Sequence, residues 1–155
     1  MSRPVAVMAG IGSGLLLLGA FLFEYAGGLA PCKLCIWQRY PHGTGFALGM
    51  IALILPHLLI YVAGALSAAV TAAIGLYHVG VEQGWWEGPS SCSSGDISGL
   101  SAEELLEQIL NAPMVRCDEI PWSLLGLSMA GWNAVISAVL CLIWIIAIWR
   151  ELKES

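Results

Sequence analysis

Charge is what this sequence has least of. Aspartate, glutamate, lysine and arginine make up 11% of its 155 residues, and only six of them are lysine or arginine. A soluble domain carries about 25%. The shortage excludes an ordinary soluble globule. It also excludes a disordered chain, which is polar and highly charged. Nucleic acid is excluded as a partner, because phosphate binding rests on clustered lysine and arginine and the net charge here is -5. Internal repeats and low-complexity segments are absent too. What is present is 58% apolar residues and a mean hydropathy of +0.80, in a length that allows one small domain.

The uncharged residues fall in three tracts, Pro4–Phe23, Tyr40–Val81 and Ile120–Trp149. A membrane helix takes about 20 apolar residues to cross about 30 Å of hydrocarbon. The first and third tracts supply one span each. The middle tract is 42 residues long, and Pro56-His57 near its centre ends a helix, so it supplies two. The expected fold is an all-α membrane protein, a four-transmembrane-helix bundle forming a single domain over 1–155. Its helices are expected at about 5–24, 40–55, 58–79 and 122–148, with loops over 25–39 and 80–121. A cleaved signal peptide is the rejected alternative for the first tract. The apolar run exceeds a signal core, no clear Ala-x-Ala site follows, and Pro31 stands where a lipoprotein site before Cys32 takes a small residue.

The longer loop carries eight acidic residues and one basic residue, Arg116. Within it Ser101-Ala102-Glu103-Glu104 reads as a capping box. Leu105, Leu106, Ile109 and Leu110 then recur at helical spacing, opposite Glu103, Glu104, Glu107 and Gln108. A short amphipathic helix follows, either lying in a membrane interface or packed on the loop itself.

Cys32 and Cys35 fall in the first loop, and Cys92 and Cys117 in the long one. With four spans, both loops emerge on one side of the bilayer. Cys141 lies about 20 residues into the last expected helix, about 30 Å from that side, and reads as an apolar filler. Lysine and arginine do not orient the chain: Arg3, Arg150 and Lys153 balance Lys33, Arg39 and Arg116. The cysteines do, since four thiols outside the bilayer suit an oxidising compartment. The loops are therefore expected outside and both termini in the cytoplasm. Four cysteines allow three pairings. The Cys32-Lys33-Leu34-Cys35 spacing favours a reactive disulfide over a structural one. A site of four zinc thiolates is disfavoured because Cys92 and Cys117, 25 residues apart, form no second C-x-x-C. Structural bridges remain the bland alternative.

The flanks are more specific. Pro31-Cys32-Lys33-Leu34-Cys35-Ile36-Trp37-Gln38-Arg39-Tyr40-Pro41 closely resembles the signature of the DsbB family of bacterial disulfide-bond formation proteins. So do Gly75–Glu82, Gly84–Cys92, Cys117–Trp122 and Leu125–Asn133, and the resemblance spans nearly the whole chain. It implies a membrane enzyme of the bacterial inner membrane, with its cysteine loops in the periplasm. Such an enzyme reoxidises a soluble DsbA-type thiol oxidase and passes two electrons to a quinone, ubiquinone or menaquinone. The implied catalytic residues are Cys32, Cys35, Cys92 and Cys117. By the same resemblance the partner attacks Cys92 of a Cys92–Cys117 bridge. Electrons then reach Cys32–Cys35 through a transient Cys32–Cys117 bond, and Cys35 faces the quinone.

Arg39 is four residues past Cys35, where a cation lowers a thiol pKa and stabilises negative charge; otherwise it is an interfacial anchor. His78 matches a family histidine and is expected to bond a quinone carbonyl or to stand as a satisfied interfacial residue. Both are expected quinone-binding residues, and no metal is expected. Lys33 could tune the pair between which it sits. Glu24, a carboxylate at the end of the first helix, carries no assigned role, and Tyr25, Trp85, Trp86 and Trp122 suit an aromatic belt. A vitamin K epoxide reductase type of enzyme is argued against by the C-x-x-C between helices 1 and 2, since that family carries it late in the bundle. The reading from another class is a non-enzymatic membrane protein with structural disulfides or a metal-binding thiol cluster.

Overall fold

The computed structural model describes residues 2–89, 92, 101–110 and 115–154. Four long helices dominate it: α1 (Arg3–Tyr25), α2 (Lys33–Ile54), α3 (Leu58–Glu82) and α5 (Met129–Glu154). A short helix, α4 (Ala102–Leu110), and a small hairpin, β1 (Ser123–Leu124) and β2 (Leu127–Ser128), lie between α3 and α5. α1 packs on α2 and α5, and α3 packs on α2 and α5, so the four long helices form a closed ring. Three of them, α1, α3 and α5, are long and apolar enough to cross a membrane. α2 has 22 residues, about 33 Å, but a more polar sequence.

Three boundaries differ from expectation. α2 begins at Lys33, not near Tyr40, so the C-x-x-C opens a helix instead of lying in a loop. Cys32 is the N-cap, and its sulfur accepts the Cys35 N–H at 3.2 Å. Pro41 then sits inside α2, where its missing N–H takes the bonding partner from the Trp37 carbonyl. Hydroxyls on α3 bond neighbouring backbone: Thr71 donates to the Gln38 carbonyl at 3.3 Å and Ser67 to the Pro41 carbonyl at 2.6 Å. Tolerance of an interior proline through such neighbours is a habit of helices in lipid. α3 continues to Glu82, one turn past Val79, which moves Glu82 from the loop into the bundle.

The last helix starts at Met129 instead of near 122, because the hairpin occupies 123–128. Leu125 and Gly126 both have positive φ, 53° and 81°, as a two-residue hairpin turn requires. Cys141 is therefore only 12 residues into α5, about 18 Å, and lies mid-bundle. It is a free thiol donating to the Ala65 carbonyl of α3 at 3.5 Å.

The capping box forms: Glu104 N–H donates to Ser101 Oγ at 3.3 Å, and Ser101 N–H to Glu104 Oε2 at 2.8 Å. On α4, Leu106 and Leu110 are exposed; the side chains of Leu105, Gln108 and Ile109 lie outside the described residues, as do Ser90 and Ser91. Trp85 and Tyr25 are exposed, Trp86 stacks on Tyr77 at 5.9 Å, and Trp122 packs on Phe23 at 5.2 Å.

The lower core is built from Tyr61 and Trp144, whose rings lie 6.3 Å apart, among alanines of all four helices. Small residues let the backbones approach. A Cβ on Gly49 would stand 2.5 Å from the Gly10 Cα, so α1 and α2 meet there without side chains between them. Gly49→Ala is expected to cost about 1–3 kcal/mol through that clash. Gly43→Ala, where an added Cβ meets nothing within 4 Å, is expected to cost nothing. Thermal melts of both variants in detergent check this, and equal midpoints would contradict the close contact.

Candidate functional site

The four loop cysteines gather at one end of the bundle. Cys92 and Cys117 form a disulfide, with Cα atoms 5.1 Å apart. Both are fully buried and pack in one cluster with Cys32, Leu34 and Val81. The backbone holds the bridge in place: the Cys117 N–H donates to the Cys92 carbonyl at 2.9 Å, and the Cys92 N–H to the Pro89 carbonyl at 2.7 Å. Cys32 and Cys35 are thiols with their sulfurs 2.8 Å apart. Cys32 is buried and donates to Cys35. That hydrogen bond, and then burial, hold its thiol above the ordinary thiol range.

His78, near the end of α3, ties the two pairs together. Its Nε2 lies 3.1 Å from the Cys117 carbonyl and 3.6 Å from Cys32 Sγ. A carbonyl only accepts, so Nε2 carries the proton. Its Nδ1 accepts from Gln38 Nε2 at 3.1 Å. Both ring nitrogens are thus engaged. Glu82, one turn on, reaches within 3.9 Å of His78 Nε2 and accepts from Ser128 Oγ at 2.5 Å.

Behind the cysteines lies a polar layer inside the apolar bundle. Gln38 donates to the Leu34 carbonyl at 3.1 Å and accepts from Asn133 Nδ2 at 2.6 Å. Asn133 Oδ1 lies 2.7 Å from His42 Nε2, and Thr71 Oγ1 lies 3.2 Å from the same nitrogen. Side chains of α2, α3 and α5 therefore share one network that reaches Cys32.

A cavity of about 340 Å³ opens beside this layer. Apolar residues such as Leu16, Phe23 and Ile136 form much of its wall, and Cys35, Arg39 and His42 supply polar groups. Its size and lining suit a small ring-shaped molecule. Arg39 pairs with Glu24 of α1, donates to the Ala20 carbonyl at 3.4 Å, and stands 5.0 Å from the Phe21 ring centre. Among the described residues, the buried side-chain polar atoms without a partner are Arg39 Nε, His42 Nδ1 and Trp144 Nε1. The first two belong to residues of the cavity wall.

Cys32, Cys35 and His78 also offer three ligand atoms within 4.8 Å of one another. A closed structural zinc site takes four, and Cys92 and Cys117 are committed to each other.

The sequence places Cys32, Cys35, Cys92, Cys117, Arg39 and His78 here, and the structure brings all six together. It adds Glu24, Gln38, His42, Thr71, Glu82 and Asn133. A signal for some of these exists: Gln38 and His42 are polar, stand three and seven residues past Cys35, and so share its helix face. Asn133 is a lone amide in an uncharged tract, and nothing in the sequence alone pairs it with them.

The family described as Disulfide bond formation protein DsbB matches residues 2–147. A protein of Verminephrobacter eiseniae named Disulfide bond formation protein B is 32% identical, over 99% of this chain and 89% of its own. Proteins of that name from Albidiferax ferrireducens and Stutzerimonas stutzeri are each 29% identical, over 91% and 99% of this chain and 83% and 96% of their own. With its apolar helices and paired cysteines, the chain is an integral membrane protein and a protein-disulfide oxidoreductase, and it belongs to the DsbB family of disulfide bond formation proteins.

Proposed function

We propose that the chain oxidises a soluble DsbA-type dithiol protein and delivers the electrons to membrane quinone. The observation that carries this reading is the contact between the two cysteine pairs, bridged by His78, with Cys35 on the wall of an apolar cavity. All four long helices are read as spans, α2 included, with both termini cytoplasmic and the cysteine end of the bundle in the periplasm. The membrane is then the bacterial inner membrane.

In this cycle a thiolate of the partner attacks Cys92, breaking the Cys92–Cys117 bond and forming a mixed disulfide. The partner's second thiol resolves it and leaves with a disulfide, and Cys92 and Cys117 remain as thiols. Cys117 then attacks Cys32 of a Cys32–Cys35 bridge, and Cys35 departs as thiolate. Cys92 attacks Cys117, restoring their bridge and leaving Cys32 and Cys35 as a dithiol. Thiol–disulfide exchange of this kind needs an accessible sulfur. Cys92 is buried in one cluster with Cys32, so the partner reaches it only once that contact opens.

The cavity fits a quinone ring in volume and in apolar lining, and two residues of its wall, Arg39 and His42, each carry a buried polar atom without a partner. A quinone bound there supplies an acceptor for two electrons and two protons. Arg39 would hold a ring oxygen and Cys35 would face the ring, while Glu24 fixes the guanidinium. We assign His78 to the cysteines instead of the ring, because both its nitrogens are occupied. The net change converts partner dithiol and quinone into partner disulfide and quinol. The family match does not favour the non-enzymatic alternative.

Anaerobic mixing of the purified protein in detergent with a reduced DsbA-type partner and a quinone tests the cycle. Quinone absorbance is expected to fall. Cys92→Ser and Cys35→Ser should each abolish that fall, and Cys141→Ala should preserve it. No reduction, with all four cysteines oxidised, would favour structural bridges. Arg39→Ala is expected to raise the KM for quinone about 10- to 100-fold, the worth of a charge-assisted hydrogen bond. It should leave oxidation of the partner by the Cys92–Cys117 bridge, measured in a single turnover, unchanged. An unaltered KM would remove Arg39 from the quinone site.

A further inference from the structure

His42 is buried to within 3% and lines the cavity, yet its Nδ1 has no partner. Which nitrogen carries the proton follows from the network. The Leu34 carbonyl can only accept, so the Gln38 atom bonded to it is the amide nitrogen, and Gln38 turns its oxygen to Asn133. Asn133 must then contribute its own nitrogen to Gln38 and its oxygen to His42. Thr71 fits the same assignment. With its hydroxyl proton on the Gln38 carbonyl it accepts from His42 Nε2. Both neighbours of His42 Nε2 are acceptors. The neutral ring therefore keeps its proton on Nε2 and holds a lone pair at Nδ1.

A lone pair discriminates between the two forms of a quinone-type ring. A quinone offers only acceptor oxygens and would meet Nδ1 acceptor to acceptor. A hydroquinone offers hydroxyl donors. Arg39, three residues earlier on α2 and also in the cavity wall, carries an unpartnered donor, Nε.

We propose that His42 makes this cavity hold a hydroquinone more tightly than the matching quinone, its Nδ1 accepting a hydrogen bond from a ring hydroxyl. The inference rests on the quinone reading above and adds a residue and a direction to it. Preferential binding of the reduced form makes the bound ring a stronger oxidant. The Cys32/Cys35 dithiol gives up two electrons and two protons and closes to a disulfide, while the ring gains both and becomes the hydroquinone. A tenfold preference corresponds to about 30 mV for a two-electron couple.

The test is equilibrium binding of short-chain ubiquinone and ubiquinol under argon, followed by tryptophan fluorescence. It uses the full chain with Cys32→Ser and Cys35→Ser, so that the ring exchanges no electrons with that pair. Ubiquinol is expected to bind about tenfold tighter. In His42→Gln the side-chain amide takes over the bond to Asn133 but offers nothing in place of Nδ1, and the two affinities should become equal at an unchanged melting midpoint. A parent protein that binds both forms equally, or favours ubiquinone, overturns the role of His42 without recourse to any variant. So does a preference that survives His42→Gln. Both of those results leave the quinone site standing. Failure of both forms to bind overturns the quinone reading together with this inference.

Discussion

The Gln38 side chain is where this bundle is tied together. An amide buried among helices in lipid is costly unless all its valences are met. Gln38 meets them with one bond to its own helix at Leu34, one to His78 on α3 and one to Asn133 on α5. Because the first of these is a backbone carbonyl, the direction of every other bond in the layer is fixed. His78 presents its Nε2 proton to Cys117 and Cys32, and Asn133 presents its oxygen to His42. A single amide thus sets the protonation pattern both at the cysteines and in the cavity beside them. Networks of this kind rigidify and specify a core where their members are satisfied, and in this layer His42 Nδ1 is the atom left over.

The same layer explains how α2 survives its own sequence. Seen alone, Lys33, Arg39 and Pro41 argue for a loop, and an apolar span is legible only from Tyr40 onward. Three facts reverse that. The Cys32 sulfur caps the helix, α3 hydroxyls bond the carbonyls around Pro41, and Arg39 is neutralised by Glu24 from α1. The cap is local but made by a sulfur, and the other two come from α3 and α1, so periodicity and propensity could not reveal them. The consequence is chemical as well as architectural. Starting the helix at Lys33 puts Cys35, Arg39 and His42 on one face within three turns, with a shared cavity in front of them.

Other features were legible for simple reasons. Long uncharged tracts report the helices because few chains can otherwise bury so many apolar residues, and Pro56 marks the turn between α2 and α3. The capping box of α4 is a local device, and it forms as read. The hairpin at 123–128 was not legible. Two residues per strand carry no alternation, and Leu125 occupies a positive φ that its side chain gives no reason to expect. Glu82 was counted with the loop acids for want of one helical turn. Its burial against His78 and Ser128 follows only from where α5 begins.

The cycle proposed above places two demands on the site that pull in opposite directions. Electrons must pass between sulfurs that touch, which calls for burying the Cys92–Cys117 bridge against Cys32. A soluble dithiol must also reach that bridge, which calls for exposing it. The first pair is fixed at the start of a helix, where Cys35 and Arg39 both line the cavity. The second pair is carried between α3 and α5, and Cys92 is joined to α3 by only nine residues after Glu82. Motion is therefore best confined to the second pair. In that cycle the contact to be broken, among the described residues, is a small apolar cluster plus one hydrogen bond from His78 to the Cys117 carbonyl. A neutral hydrogen bond nets about 0.5–1.5 kcal/mol. An interaction of that order can be opened and remade repeatedly, whereas an ion pair buried at the same place would resist separation. An imidazole held neutral by Gln38 is thus a suitable latch between the two pairs.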